Sequence, residues 1–107
     1  VLGEPARSTG RRLFDAAVAG GAQATDGTML GGIAIGKRAD LVAVDLSTAS
    51  SQPVFDPVSH LVYVAGRENV SHVWVDGKHI LNNRRLVALD ADDLIARAAY
   101  WRAKITA

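Results

Sequence analysis

The sequence predicts an α+β chain: one helix, several short strands around a hairpin, a short second helix and a terminal helix. Three observations predict it. Leu94, Ala98, Trp101 and Ile105 recur at i, i+4, i+7 and i+11, which is the spacing of one helix face. Asp76-Gly77 separates two strand-like runs, and both positions of a tight hairpin turn favour a residue that tolerates positive φ. Leu41-Val42-Ala43-Val44 is a short apolar run closed by Asp45, a pattern that suggests a strand buried on both faces.

Residues 1–10 are broken by Pro5 and Gly10 and read as an arm, with Ser8 or Thr9 placed to cap a helix that starts at Arg11. That helix is expected over 11–24, with Leu13, Ala16, Ala17 and Ala24 roughly on one face and Phe14 beside them. Gly20-Gly21 weakens it by roughly 1 kcal/mol per glycine, yet small residues permit close packing. Residues 25–32 are turn-rich, and a strand is expected at 39–46. Residues 47–53 form a loop. Asp56-Pro57 starts a short helix near 57–65, with aspartate at the N-cap, proline at the first helical position and Gly66 closing it. Strands at 70–75 and 78–81 flank the Asp-Gly turn, and 84–89 continues as a short strand. Asp90 then caps the terminal helix, with Asp93 in its first turn. The expected organisation is 1–30 (arm and helix), 31–89 (strands, short helix and hairpin) and 90–107 (C-terminal helix).

Composition narrows the function. The chain has 107 residues, 49% hydrophobic and 21% charged, which fits one small folded unit. The net charge of +1 and the scattered basic pairs Arg11-Arg12, Lys37-Arg38 and Arg84-Arg85 do not make a nucleic-acid face. No apolar run approaches the roughly 20 residues that span a bilayer, so no membrane partner is expected. There is no cysteine, which excludes disulfides, thiolate metal sites and a cysteine nucleophile. That fits a reducing compartment, and a cytoplasmic location is expected. Residue 1 is Val rather than Met, which is consistent with a gene that begins upstream.

Four groups of residues could carry chemistry. Gly31, Gly36 and Lys37 match most of a phosphate-binding loop, but turn residues precede them, a strand comes after them, and Arg38 stands where Ser or Thr would hold magnesium. The glycines are instead expected to turn the chain, Lys37 and Arg38 to stay in solvent, and Asp40 to bond turn amides. His60, His72 and His79 form no paired-histidine motif; His72 and His79 lie on opposite arms of the hairpin and can approach, without a carboxylate partner. His60 is expected on a polar helix face. Asp90, Asp92 and Asp93 are explained by the helix start, and Trp74 and Trp101 by packing. Ser59-His60 and Ser71-His72 are sequence neighbours without an orienting third group. No residue is assigned a catalytic or metal role, and substrate contacts stay unassigned.

The arrangement resembles a known superfamily. GGIAIGKRADLVAVDL looks like the segment by which amidohydrolase-superfamily enzymes leave their barrel and return to a small β-sandwich. QPVFDPVSHLVYVAGRENVSHVWVDGKHIL is similar to the C-terminal part of the deaminase branch, with chlorohydrolases, guanine deaminases and methylthioadenosine/S-adenosylhomocysteine deaminases; Asp56-Pro57, Leu61-Val62-Tyr63 and residues 73–78 match the last best. GRRLFDAAVAGGAQA resembles the final barrel helix, with some similarity to formimidoylglutamate deiminase. The resemblance covers about residues 8–105.

It implies an α+β fragment: a last barrel helix, then C-terminal strands of a small β-sandwich, from a parent with a (β/α)8 barrel. It also implies a zinc or iron ion in the parent, held by histidines and an aspartate upstream of Val1, with none of those ligands in this chain. Metal-bound hydroxide would attack the carbon bearing an amino group and release ammonia. The chain is then expected to be a structural segment, inactive alone, whose partner is the rest of the barrel or a second copy of itself. An independent small oligomeric binding or assembly module derived from the family is the alternative, and a small nucleotide-binding protein a more distant one.

Overall fold

A computed structural model describes residues 3–25 and 27–107, with side chains from Gly10 onward. Val1 and Leu2 of the expected arm, and Asp26 of the expected turn, lie outside the described residues. Among the described residues there are three α-helices and a four-stranded antiparallel sheet: α1 (Gly3–Thr25), β1 (Leu41–Val44), α2 (Pro57–Tyr63), β2 (Val70–Val75), β3 (Lys78–Asn82), β4 (Arg85–Leu86) and α3 (Ala91–Thr106). The sheet order is β1-β2-β3-β4.

The expected arm is helical instead. Helix α1 already runs from Gly3, so Ser8 and Thr9 lie inside it rather than before it. Pro5 falls in the first turn, where a missing N–H costs no helical bond. Gly10 is not a break but a packing position. It is buried, and a Cβ there would sit 3.3 Å from Ser59 Oγ and 3.3 Å from a Tyr63 ring carbon. The close crossing of α1 over α2 offsets the helix cost of a glycine.

Helix α2 begins as expected. The Asp56 side chain accepts from the Val58 N–H at 3.2 Å and from Ser59 Oγ at 2.7 Å, with Pro57 at the first position. Its end differs. The helix stops at Tyr63, and Gly66 has extended backbone (φ −116°) rather than the left-handed cap. Gly66 donates its N–H to Asn69 Oδ1 at 3.0 Å and so opens the 3-10 turn Arg67–Asn69 that leads into β2.

The hairpin is the best-marked feature. Asp76 and Gly77 both have positive φ (50° and 76°), and Trp74 faces His79 across β2 and β3. A second tight turn comes next, with Asn83 at φ 46° and Arg84 at φ 65°, and it pairs Leu81 with Leu86. Only two residues of the expected 84–89 strand pair, because the chain then leaves the sheet for α3.

Strand β1 also departs from expectation. It is an edge strand, paired on one side only, and Val42 is 59% exposed. Its unbroken apolar run therefore has uncovered surface on this chain. The same holds more widely. Ala22 is the one buried hydrophobic residue among those described, whereas Ser51 and Asn69 are buried polar residues. The accessible surface is 8517 Å², against about 5,700 Å² for a compact monomer of this mass. The radius of gyration is 18.3 Å, against about 13 Å for a compact chain of this length.

Candidate functional site

Residues with chemical potential gather in four places. The first is the loop that matches a phosphate cradle in sequence. Gly31 and Gly36 have φ of 87° and 86°, and a Cβ on Gly31 would lie 2.8 Å from the Ala22 Cβ of α1. The loop closes on itself: Arg38 N–H donates to the Met29 carbonyl at 2.8 Å and Lys37 Nζ to the Leu30 carbonyl at 3.1 Å. Lys37 and Arg38 are thus not merely solvated, since Arg38 Nε also lies 3.8 Å from the Asp76 carboxylate. A cradle needs free amides at a helix start, and this loop leads into β1 instead. Asp40 does bond a turn amide, accepting from Asp76 N–H at 2.7 Å, while Gly77 N–H donates to the Ala39 carbonyl at 2.9 Å.

The second place is a polar knot that no sequence motif marks. Asn69 Nδ2 donates to the Asp45 carbonyl at 3.0 Å and Ser51 Oγ at 3.2 Å, and its own carbonyl accepts from Asp45 N–H at 2.7 Å. His60 Nε2 meets the Ser51 carbonyl at 2.6 Å, which makes Nε2 the protonated nitrogen and commits His60 to structure. The Arg84 side chain joins from the second turn, with Nε donating to the Glu68 carbonyl at 3.1 Å and Nη2 3.3 Å from Asp45 Oδ2. The Ser47 hydroxyl and N–H hold the Asp45 carboxyl below its usual range against an opposing desolvation, with Arg84 adding to the lowering. In α2, the Ser59 hydroxyl, then the N–H of Val58, lower the Asp56 carboxyl in the same way. These are anchors rather than acids or bases.

The third is the histidine pair. His72, Trp74 and His79 stack on one sheet face, with His72 and His79 ring centroids 5.6 Å apart and Trp74 4.7 Å from His79. The expected approach of the two histidines is found, and their near-parallel rings pack rather than converge. Ser71 Oγ lies 3.3 Å from the Ala43 carbonyl and 2.9 Å from His72 Nδ1. His79 Nε2 is enclosed without a hydrogen-bond partner. Among the described residues, no group of three or more His, Asp or Glu is placed to hold a metal ion. Asp90 accepts from the N–H of Asp92 and Asp93 at 2.9 and 3.3 Å, as its capping role requires. Trp101 is 55% exposed on α3, where its ring meets Tyr100 edge-on at 5.6 Å and lies under Lys104 Nζ at 5.1 Å, so the packing expected of it is made within its own helix.

The fourth is an apolar groove of about 760 Å³ between α1 and β1, lined by Phe14, Val18, Leu30, Val42, Val44 and Leu61 among others. A Cβ added at Gly20 or Gly21 would meet nothing within 4 Å beyond its own helix, so the close packing expected of them is not made among the described residues. No helix among the described residues is long and apolar enough to cross a membrane.

The comparisons with known proteins agree with the resemblance. The Amidohydrolase family model matches residues 10–80. The 5-methylthioadenosine/S-adenosylhomocysteine deaminase of Teredinibacter turnerae is 42% identical over 78 residues, 73% of this chain and 18% of that protein. The 5'-deoxyadenosine deaminase of Methanosarcina acetivorans is 36% identical over 96 residues, 90% of this chain and 22% of that protein. Among solved structures, an adenosine deaminase from Xanthomonas campestris with bound zinc superposes with a TM-score of 0.77 and 45% identity, covering 87% of this chain and 21% of that one. Atrazine chlorohydrolase from Arthrobacter aurescens, complexed with zinc, gives 0.74 and 26%, covering 85% and 20%. The chain thus spans about a fifth of the length of the relatives it matches. Its helix–sheet–helix frame, and the family model that covers most of it, place the chain in the amidohydrolase family.

Proposed function

We propose that this chain is the C-terminal structural segment of a metal-dependent deaminase, one that removes the amino group of an adenine nucleoside as ammonia. The observation that carries the reading is the pairing of two facts: the chain aligns with about a fifth of each deaminase relative, and it exposes apolar surface that a complete fold would cover. The substrate class comes from the names of those relatives, and the metal from the zinc bound in the similar adenosine deaminase. In this reading the α1–β1 groove seats against the rest of the enzyme. The stacked His72, Trp74 and His79 face is covered by further strands, and the metal ligands and catalytic groups come from the remaining four-fifths.

The test is direct. The 107-residue chain is assayed for ammonia release from 5'-methylthioadenosine and adenosine, and its zinc content is measured after dialysis. The reading predicts neither turnover nor stoichiometric zinc. Turnover that disappears with zinc on His72→Ala or His79→Ala would place a reaction centre in this chain and overturn it.

A further inference from the structure

The terminal helix carries a surface that the deaminase reading does not use. Every residue of α3 is exposed, including Leu94 at 42%, Trp101 at 55% and Ile105 at 80%. Leu94, Ala98, Trp101 and Ile105 are spaced four, three and four residues apart, which is the alternating spacing of a two-helix seam. The order of sizes is informative. About a midpoint between residues 99 and 100, Leu94 mirrors Ile105 and the small Ala98 mirrors the large Trp101. A two-fold axis at that midpoint would therefore set Leu94 against Ile105 of a second copy, and Trp101 over Ala98 of a second copy. A parallel pair would instead stack Trp101 on Trp101 and leave a gap at Ala98.

Charge points the same way. Asp90, Asp92 and Asp93 lie at the N-terminal end of α3, and Arg102 and Lys104 near its C-terminal end. Antiparallel pairing brings each acidic end beside a basic end and opposes the two helix dipoles. On the wheel, Asp93 and Lys104 of a second copy flank one side of the seam, Ile95 and Arg102 of a second copy flank the other, and Asp92 lies on the face away from it. Arg97 faces Lys104 of the second copy, and Asp93, 3.9 Å from Arg97 within the helix, lies beside both.

We propose that α3 is a self-complementary docking helix that pairs antiparallel with α3 of a second copy of this chain. The inference is independent of the deaminase reading. A helix of 16 residues spans about 24 Å, which places the contact at the small end of specific interfaces.

Because the chain has no cysteine, cross-linking gives a clean test. Leu94→Cys and Ile105→Cys variants are mixed at about 50 micromolar and oxidised. The expected product is the mixed disulfide, in excess over either self-linked product. Sedimentation of the unmodified chain should show a concentration-dependent dimer. Ala98→Glu should weaken it at least ~10-fold while leaving the circular dichroism spectrum unchanged. Self-linked products in excess, a dimer indifferent to Ala98→Glu, or a monomer at that concentration would each overturn the proposal.

Discussion

The Asp40 carboxylate accepts a hydrogen bond from the backbone N–H of Asp76 at 2.7 Å, across 36 residues of chain. One residue before β1 thereby fixes the tip of the β2–β3 turn, and the Ala39 carbonyl secures the neighbouring Gly77 amide at 2.9 Å. Asp40→Ala removes the acceptor and should cost about 1 kcal/mol, the usual net worth of one hydrogen bond. Asp40→Asn keeps an acceptor and should lose less. Urea unfolding followed by circular dichroism measures both, and equal losses would show that charge rather than the hydrogen bond matters.

Gly31 and Gly36 have nearly the same positive φ, 87° and 86°, but different surroundings. An alanine at Gly36 meets nothing within 4 Å and carries only the left-handed backbone penalty, about 1 kcal/mol. At Gly31 it also meets the Ala22 Cβ at 2.8 Å. Gly31→Ala should therefore cost about 1–3 kcal/mol more than Gly36→Ala. Thermal unfolding of the two variants side by side measures the difference, and equal losses would mean that the loop does not pack on α1.

Asn69 is buried and serves as both donor and acceptor within the knot that ties the end of β1 to the start of β2. Asn69→Ala leaves the Gly66 N–H and the Ser51 hydroxyl without this partner. It should cost about 2–3 kcal/mol, within the range for leaving buried polar groups unpaired. Hydrogen exchange at the Gly66 amide gives a local reading, and an unchanged protection factor would contradict the role assigned to Asn69.

Asp45 and Asp56 both have carboxyls held below the ordinary value, by Ser47 and by Ser59 respectively. A carboxyl lowered in the folded state stabilises it above the unfolded pKa of about 4, and that contribution is lost as pH falls through the folded value. Stability should thus fall as pH is lowered below about 4. Ser47→Ala removes the largest influence on Asp45 and should flatten this dependence. An unaltered pH profile for that variant would assign the acid sensitivity elsewhere.

Local chemistry is legible in the sequence, and long-range partnership is not. The Asp56-Pro57 start and the Asp90 cap each satisfy backbone groups within a few residues, and the Asp76-Gly77 turn rests on the positive φ of its own two residues, so composition alone marks them. Arg84 shows the opposite case. Its left-handed φ of 65° is held by its N–H on the Ser71 carbonyl and its side chain on Glu68 and Asp45, none of them a near neighbour. Asn83-Arg84 carries no glycine to announce the turn. Asn69 likewise gains its importance from Asp45 and Ser51, far away in sequence. The extra turns of α1 are hidden because Gly10 reads locally as a break, yet its small size is required by Ser59 and Tyr63 on another helix. The continuous apolar run at Leu41–Val44 suggests a doubly buried strand because periodicity reports how much cover a segment needs, and not whether this chain supplies it.

Whether this chain completes an enzyme can be measured by reconstitution. The Xanthomonas campestris adenosine deaminase, truncated to remove the fifth that matches this chain, provides the complementary piece. It is mixed with the 107-residue chain and zinc, and ammonia release from adenosine is followed. Activity that appears only in the mixture, and that falls with Phe14→Glu or Val42→Glu in the groove, is the expected outcome. A truncated enzyme that neither binds this chain nor gains activity from it, under conditions where its own C-terminal fifth restores activity, would show that this chain is not such a segment.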